Sequence, residues 1–397
     1  MRVGLIGAVI GNGNMGCVAL TYSLVKVLKN ISEEENIDIN YMFFDVIPNK
    51  SKTKLLCEDL GIDVSQVKVT KLGAMGNIYE LCRYFYLNLG MISAIKSCDF
   101  IIDITQGDSF TDIYGDQRFK SWTRMKKLVE KLRKPLVLAP QTYGPFQNAD
   151  NREYAKRVIE NADLVISRDQ ISAAYVSSFS NQKVHVTTDL AFMLPYNKSV
   201  NKHDKIKVGI NVSALLVADK SEQTEVNFDM SVDYDEYIDK LILLVASKDM
   251  YEVHLIPHVE EDINPIKELN DKYDNTIIHE IFSSPIQAKN CIADMDVFIG
   301  ARMHATIAAF SAGIATIPTA YSRKFLGLFQ NLGYDRVIDL QKCSTDEALE
   351  KTLTYLYIKD VLQKEVQTCK EKTDIESEHT SRLFSDFIKN IQRETIK

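Results

Sequence analysis

Short apolar runs bounded by turn residues recur along the chain, and most are followed by a longer stretch whose apolar positions repeat about every 3.6 residues. In the first half the runs RVGLIGA, INYMFFDV, DFIIDIT, PLVLAP, DLVISR and KVHVTTD read as strands. Helix-period stretches lie between them at about 16–30, 76–96, 116–133, 151–161 and 169–179. Residues 190–207 lose the period, and their polar second half reads as a linker. The pattern restarts with strand KVGINVS, helix 233–248, strand YEVHLIP, helix 260–272, strand NTIIHE and helix 285–293. Strand DVFIG, helix 303–312 and strand ATIP follow, and the tail from 344 to 397 reads as helix. Two successive βα series predict an α/β protein of two Rossmann-like, doubly wound parallel-sheet domains, 1–195 and 205–345, with C-terminal helices over 346–397. Ligands of such sheets lie at the carboxyl ends of strands, beside helix N-termini, so chemistry is sought there.

Composition narrows the function. The chain has 397 residues, 45 % hydrophobic and 25 % charged, ordinary globular values with material for two cores. A net charge of −7 gives nucleic acid or an anionic membrane no overall field to respond to, so an anionic substrate needs local arginines and lysines. The seven cysteines are scattered with no Cys-x-x-Cys spacing, which reads as free thiols in a reducing cytoplasm. The start MRVGLIGAVIGNGNMG reads as a first strand rather than a signal peptide, and no apolar run is long enough to span a membrane.

GNGNMG, Gly11 to Gly16, matches the dinucleotide fingerprint in form. The acidic residue that would hold a ribose belongs about twenty residues on. Asp45 comes 29 residues after Gly16, so a tight strand-to-helix turn without a cofactor is the better reading.

Four strand ends carry unusual chemistry. ITQGDSFTDIYGD places Gly107, Asp108 and Asp112 after a buried strand. APQTYGPF offers Gln141 and Thr142 before a Gly-Pro turn. Arg168 closes DLVISR and opens a helix, with Asp169 as a helix-start acid that can pair with it. Arg302 and His304 stand where VFIG turns into a helix. Arginine presents a permanently charged fork suited to carboxylate and phosphate, and histidine exchanges a proton near neutral pH. His258 follows another strand end, and Tyr321 and Lys324 follow ATIP. No Walker loop, Gly-x-Ser-x-Gly elbow or metal-ligand spacing is present in the sequence.

These residues lie in motifs that resemble those of the polysaccharide pyruvyl transferases. The motifs are Gly13-Asn14-Met15-Gly16, QGDSFTD at 106–112, Gly-Pro-Phe at 144–146 and Ser-Arg-Asp-x-x-Ser at 167–172. Thr-x-Asp-x-x-Phe at 187–192, Ile-Pro-His at 256–258, Gly-x-Arg-x-His-Ala at 300–305 and Tyr-x-x-Lys at 321–324 complete them, in order over roughly 1–335. The resemblance implies a GT-B-like arrangement, phosphoenolpyruvate as donor substrate, a sugar or lipid-linked glycan as acceptor, and no cofactor or metal. It implies that Arg168 and Arg302 hold the donor's carboxylate and phosphate, with His304 and Asp112 as acid and base in either order. Asn14, Gly107, Asp108, Gln141, His258, Tyr321 and Lys324 would bind substrate. The setting would be cytoplasmic polysaccharide biosynthesis, with peripheral membrane contact through a lipid-linked acceptor and the oligomeric state both left open. Cys17 stands where many relatives have Asp, and Thr105-Gln106-Gly107 replaces a Gly-Gly-Gly stretch, so the acceptor sugar is the less defined partner. Two other readings stay open: a GT-B glycosyltransferase using a nucleotide sugar, with Glu280 or Asp294 at the ribose, and a non-catalytic binder of anions or sugars.

Overall fold

The runs DFIIDIT, PLVLAP, DLVISR, DVFIG and ATIP form strands that are buried throughout, as parallel strands covered by helices on both faces must be, whereas KVHVTTD and NTIIHE form partly exposed strands. The computed structural model describes residues 1–45, 48–71, 89–198, 204–217, 229–273 and 275–396. It divides into two α/β domains. The first holds Met1–Asn12, Cys17–Met193 and Glu376–Lys397; the second holds Gly13–Gly16 and Leu194–Ile375.

The first domain is a seven-stranded parallel sheet of order β3-β2-β1-β4-β5-β6-β7. Its strands are β1 (Arg2–Ile6), β2 (Asn40–Asp45), β3 (Val67–Lys71), β4 (Phe100–Asp103), β5 (Leu136–Gln141), β6 (Leu164–Ser167) and β7 (Val184–Val186). Its helices include α1 (Met15–Glu34), α2 (Lys50–Leu60), α3 (Asp116–Lys131), α4 (Ala149–Glu160) and α5 (Gln170–Ser177). The strand order reverses at β1, which pairs with β2 on one side and β4 on the other. Two elements escape the apolar pattern. β3 is a partly exposed, lysine-bearing edge strand, and α2 buries only Leu56, Cys57 and Leu60. Local chemistry still delimits α2: the Asn49 side chain caps it, and Gly61 ends it at φ 63°. Most of the helix expected over 76–96 lies outside the described residues.

The second domain is a six-stranded sheet of order β10-β9-β8-β11-β12-β13. The strands are β8 (Ile206–Asn211), β9 (Tyr251–Leu255), β10 (Thr276–Ile278), β11 (Val297–Gly300), β12 (Ala315–Ala320) and β13 (Ile338–Asp339). The helices are α6 (Tyr234–Ala246), α7 (Ile263–Lys272), α8 (Pro285–Ala293), α9 (Met303–Ser311), α10 (Arg323–Leu332), α11 (Thr345–Tyr357) and α12 (Lys359–Ile396). Here the order reverses at β8, with Gly300 of β11 opposite Asn211. The site described below sits just beyond that pair. The tail read as one helical segment is two helices, α11 and α12. α12 is shared: up to Ile375 it belongs to the second domain, and from Glu376 to the first, where Phe387 packs edge-on against Phe100 at 5.3 Å. Among the described residues no helix is long and apolar enough to cross a membrane.

α9, α10 and β12 are joined by an aromatic knot. Phe310 lies 5.5 Å from Phe329 and 5.2 Å from Tyr334, and the Tyr334 hydroxyl donates to the Thr316 carbonyl of β12. Phe310 is fully buried. Phe310→Ala is expected to lower the stability of the second domain by about 3–5 kcal/mol in urea denaturation; a loss below about 1 kcal/mol would show that the helices do not depend on this contact.

Candidate functional site

In the second domain three strand ends meet. β8 ends on Asn211, whose Oδ1 accepts the Arg302 backbone N–H (2.9 Å) and whose Nδ2 donates to the Ile256 carbonyl (2.9 Å). That amide sets the start of α9 against the loop after β9. Arg302 is the N-cap residue of α9 and supplies no side-chain cap, so the first helical N–H groups keep their anion-attracting character. Its guanidinium instead turns to Asp262, with Nε at 3.2 Å and Nη2 at 2.7 Å from one carboxylate oxygen.

The loop after β9 carries His258, only 4 % exposed, and neither ring nitrogen has a hydrogen-bond partner among the described residues. A buried imidazole left this way is costly unless something else satisfies it. Burial, then the nearby His304 and Arg302, push its pKa down to about 3, so the ring is neutral at physiological pH.

The Gly13–Gly16 turn closes onto this loop and belongs by its contacts to the second domain. Asn14 bridges to Val259, Met15 N–H donates to the His258 carbonyl (3.1 Å), and Glu260 N–H donates to the Gly13 carbonyl (3.2 Å). Both terminal glycines are required by close approach. A Cβ on Gly13 would sit 2.5 Å from Glu260 Cδ, and one on Gly16 would sit 2.4 Å from His304 Nδ1. The half-buried His304 ring therefore lies against Gly16. Asn14, expected at the substrate, uses its Oδ1 to accept Gly16 N–H (2.9 Å). Tyr321 lies within electrostatic reach of Arg302, and Lys324 lies half-buried in the first turn of α10. The structure thus gathers Arg302, His304, His258, Asn14 and Tyr321 at one end of the second sheet.

The first domain gathers Arg168, Gly107, Asp108 and Gln141. Arg168, buried just beyond β6, donates from Nη1 to Asp189 (2.5 Å) and from Nε to Thr142 Oγ1 (2.9 Å); its Nη2 has no partner among the described residues. The partner expected from sequence was Asp169, but that carboxylate caps α5 through Ser172 N–H (2.6 Å). Thr105, Gln106 and Gly107 run through three successive positive φ angles, 36°, 52° and 83°. A Cβ on Gly107 would meet Leu20 Cδ1 at 2.6 Å and Arg168 Nη1 at 3.2 Å. Half-buried Asp108 accepts from the Tyr114 hydroxyl (3.3 Å) and favours the Arg168 charge. Gln141 is fully buried and donates to the Asp103 carbonyl (3.1 Å), while its Oε1 has no partner among the described residues.

The base role expected of Asp112 does not fit this geometry. Its carboxylate accepts Gln147 N–H (2.8 Å), Asn148 N–H (3.0 Å) and Asn151 Nδ2 (3.1 Å), which fastens the segment after the Gly-Pro turn and leaves it poorly placed to take up a substrate proton. Sequence reasoning placed Asp189 in the Thr-x-Asp-x-x-Phe motif without pairing it to Arg168, and it missed Asp262, Asp103 and Lys126 altogether. Lys126 and Asp103 form a wholly buried pair at 3.0 Å. The available signal was periodicity, since Lys126 falls on the stripe of Phe119, Thr123 and Val129. Among the described residues no three of His, Cys, Asp and Glu converge so as to hold a metal ion.

The sequence model of the polysaccharide pyruvyl transferases matches residues 14–323, from the Gly13–Gly16 turn to the loop after β12. The chain belongs to the polysaccharide pyruvyl transferase family. Solved structures of low identity share its fold. One is a Listeria monocytogenes protein described as a UDP-N-acetylglucosamine 2-epimerase (TM-score 0.66, 9 % identity, covering 98 % of this chain and 97 % of that one). Another is UDP-GlcNAc 2-epimerase from Neisseria meningitidis bound to UDP-GlcNAc (0.61, 11 %, 98 % and 100 %). A third is S. aureus MnaA with UDP (0.60, 12 %, 98 % and 97 %). These neighbours have the GT-B fold, so this pyruvyl transferase family member carries that fold too. No curated protein sequence matched the chain.

His258 makes a pH prediction. Its folded pKa, about 3, lies below the ordinary 6.5, so between those values the unfolded chain binds a proton that the folded chain refuses. Its contribution is full above about pH 6.5, and stability falls as the pH drops towards about 3, with a slope approaching about 1.4 kcal/mol per pH unit. In phosphate-free buffer His258→Asn is expected to flatten the stability profile over that window by one proton's worth of slope. Identical profiles for the two proteins would mean that His258 takes up its proton as readily in the fold as in the unfolded chain.

Proposed function

We propose that the protein transfers the pyruvyl group of phosphoenolpyruvate onto sugar hydroxyls as a ketal in cytoplasmic glycan biosynthesis. The observation that carries this reading is the end of the second sheet. There a fixed guanidinium, a half-buried imidazole, a buried partnerless imidazole and an uncapped helix start stand together, as recognition of a phosphorylated anion requires. Arg302 and the first N–H groups of α9 hold the phosphate, and neutral His258 donates one hydrogen bond to it.

Phosphoenolpyruvate is an enol ester of phosphate. His304 gives its proton to the methylene carbon, and positive charge develops at C2. An acceptor hydroxyl adds at C2, and its proton returns to His304. The C2–O bond to phosphate then breaks, and a second hydroxyl closes the cyclic ketal while its proton leaves with the phosphate. Preorganised charge at Arg302 stabilises the departing dianion; one such donor is typically worth about 2.7–4 kcal/mol. In the first domain the Nη2 of Arg168, without a partner among the described residues, is a further donor for a carboxylate or hydroxyl.

The test is phosphate release from phosphoenolpyruvate with a panel of free and lipid-linked glycans, with mass spectrometry for a gain of one pyruvic acid less one water. His304→Ala is expected to lower turnover by about 10² to 10⁴-fold. Gly16→Ala, which pushes on the same ring, is expected to cost about 10²-fold with little change in melting temperature. Thermal stabilisation by UDP-sugars alone, without phosphoenolpyruvate turnover, would replace this reading with a nucleotide-sugar transferase.

A further inference from the structure

Asp262 lies in the turn after β9 and is fully buried. One carboxylate oxygen accepts Arg302 Nε (3.2 Å), Arg302 Nη2 (2.7 Å) and the Ala214 N–H (3.0 Å) of the loop after β8. The other accepts the N–H groups of His258 and Val259, both at 3.2 Å. A single side chain therefore ties the three strand ends that carry the candidate site, and its main charged partner is the arginine that faces the ligand.

We propose that Asp262 is the positioning residue of the donor site, holding the Arg302 guanidinium side-on. The proposal rests on the reading of this site as a phosphoenolpyruvate site. The side-on grip engages Nε and Nη2 and leaves the Nη1 edge unengaged among the described residues, so the guanidinium is aimed before any anion arrives. It also balances a charge whose burial would otherwise be strongly unfavourable. Since the pair is neutral, selection of an anion falls to the direction of the donors rather than to net charge. Asparagine at 262 keeps the volume and one acceptor oxygen but removes the charge that orients the fork.

The experiment is a double-mutant cycle on the full chain with Asp262→Asn, Arg302→Ala and both together. Steady-state kinetics with phosphoenolpyruvate and calorimetric titration of inorganic phosphate are the readouts. Asp262→Asn is expected to lower kcat/KM by about 10²-fold, and the double variant to match Arg302→Ala to within about twofold. Losses that multiply in the double variant would mean that Asp262 acts independently of Arg302, and the proposal falls. If the wild-type protein releases no phosphate from phosphoenolpyruvate, the functional reading fails. The same cycle in phosphate affinity then still decides: a non-multiplying loss upholds the positioning role and a multiplying one overturns it. Should Asp262→Asn fail to fold, Arg302→Lys serves, because an ammonium lacks the side-on fork. Wild-type affinity and turnover in that variant would overturn the proposal.

Discussion

A guanidinium cannot be left bare at the buried end of a parallel strand, because removal of its hydration costs several kcal/mol. Both domains meet this constraint in the same way. Arg168 is answered by Asp189, from the turn beyond the neighbouring strand β7, and Arg302 by Asp262, from the turn beyond β9, two strands away across β8. The aspartate cannot approach unless the strand ends are level, so each ion pair also sets the register of the loops around it. In the second domain Asn211 repeats the device with a neutral amide, gripping the Arg302 backbone and the Ile256 carbonyl together.

Glycines then decide how close the remaining chemistry comes. The His304 ring occupies space that any side chain on Gly16 would fill, and Arg168 borders the space left by Gly107. The Gly11–Gly16 run, which looks in sequence like a dinucleotide turn, has a different structural job: Gly13 and Gly16 let the turn fit against the His258 loop and His304. The end of the second sheet thus carries directed donors, with one imidazole kept neutral by burial and another half-buried.

A GT-B fold supports many reactions, so likeness to sugar-nucleotide proteins of about one-tenth identity speaks for architecture alone. The family assignment rests on a match over 14–323, a span that includes every residue gathered at the two strand-end clusters. The chemistry distinguishing this protein from its structural neighbours must therefore lie in side chains on a common frame.

Alternation of apolar runs with helical periods is a local property, and it gave both sheets and most of their helices. β3, α2, α10 and β13 were not legible, since edge strands and partly exposed helices bury too few side chains to leave a pattern. Arg168, Arg302 and His304 stood out because charge at the end of a buried run is unfavourable wherever the chain goes. Their partners did not stand out: Asp189 and Asp262 lie 21 and 40 residues away from the arginines they answer. The donors to Asp112 were hidden for the same reason, since they come from residues 35 to 39 positions on. The sequence by itself determined which groups could not be buried alone. Only the tertiary structure decided which carboxylate each would meet, because strand order, not chain distance, sets what lies at the end of a sheet.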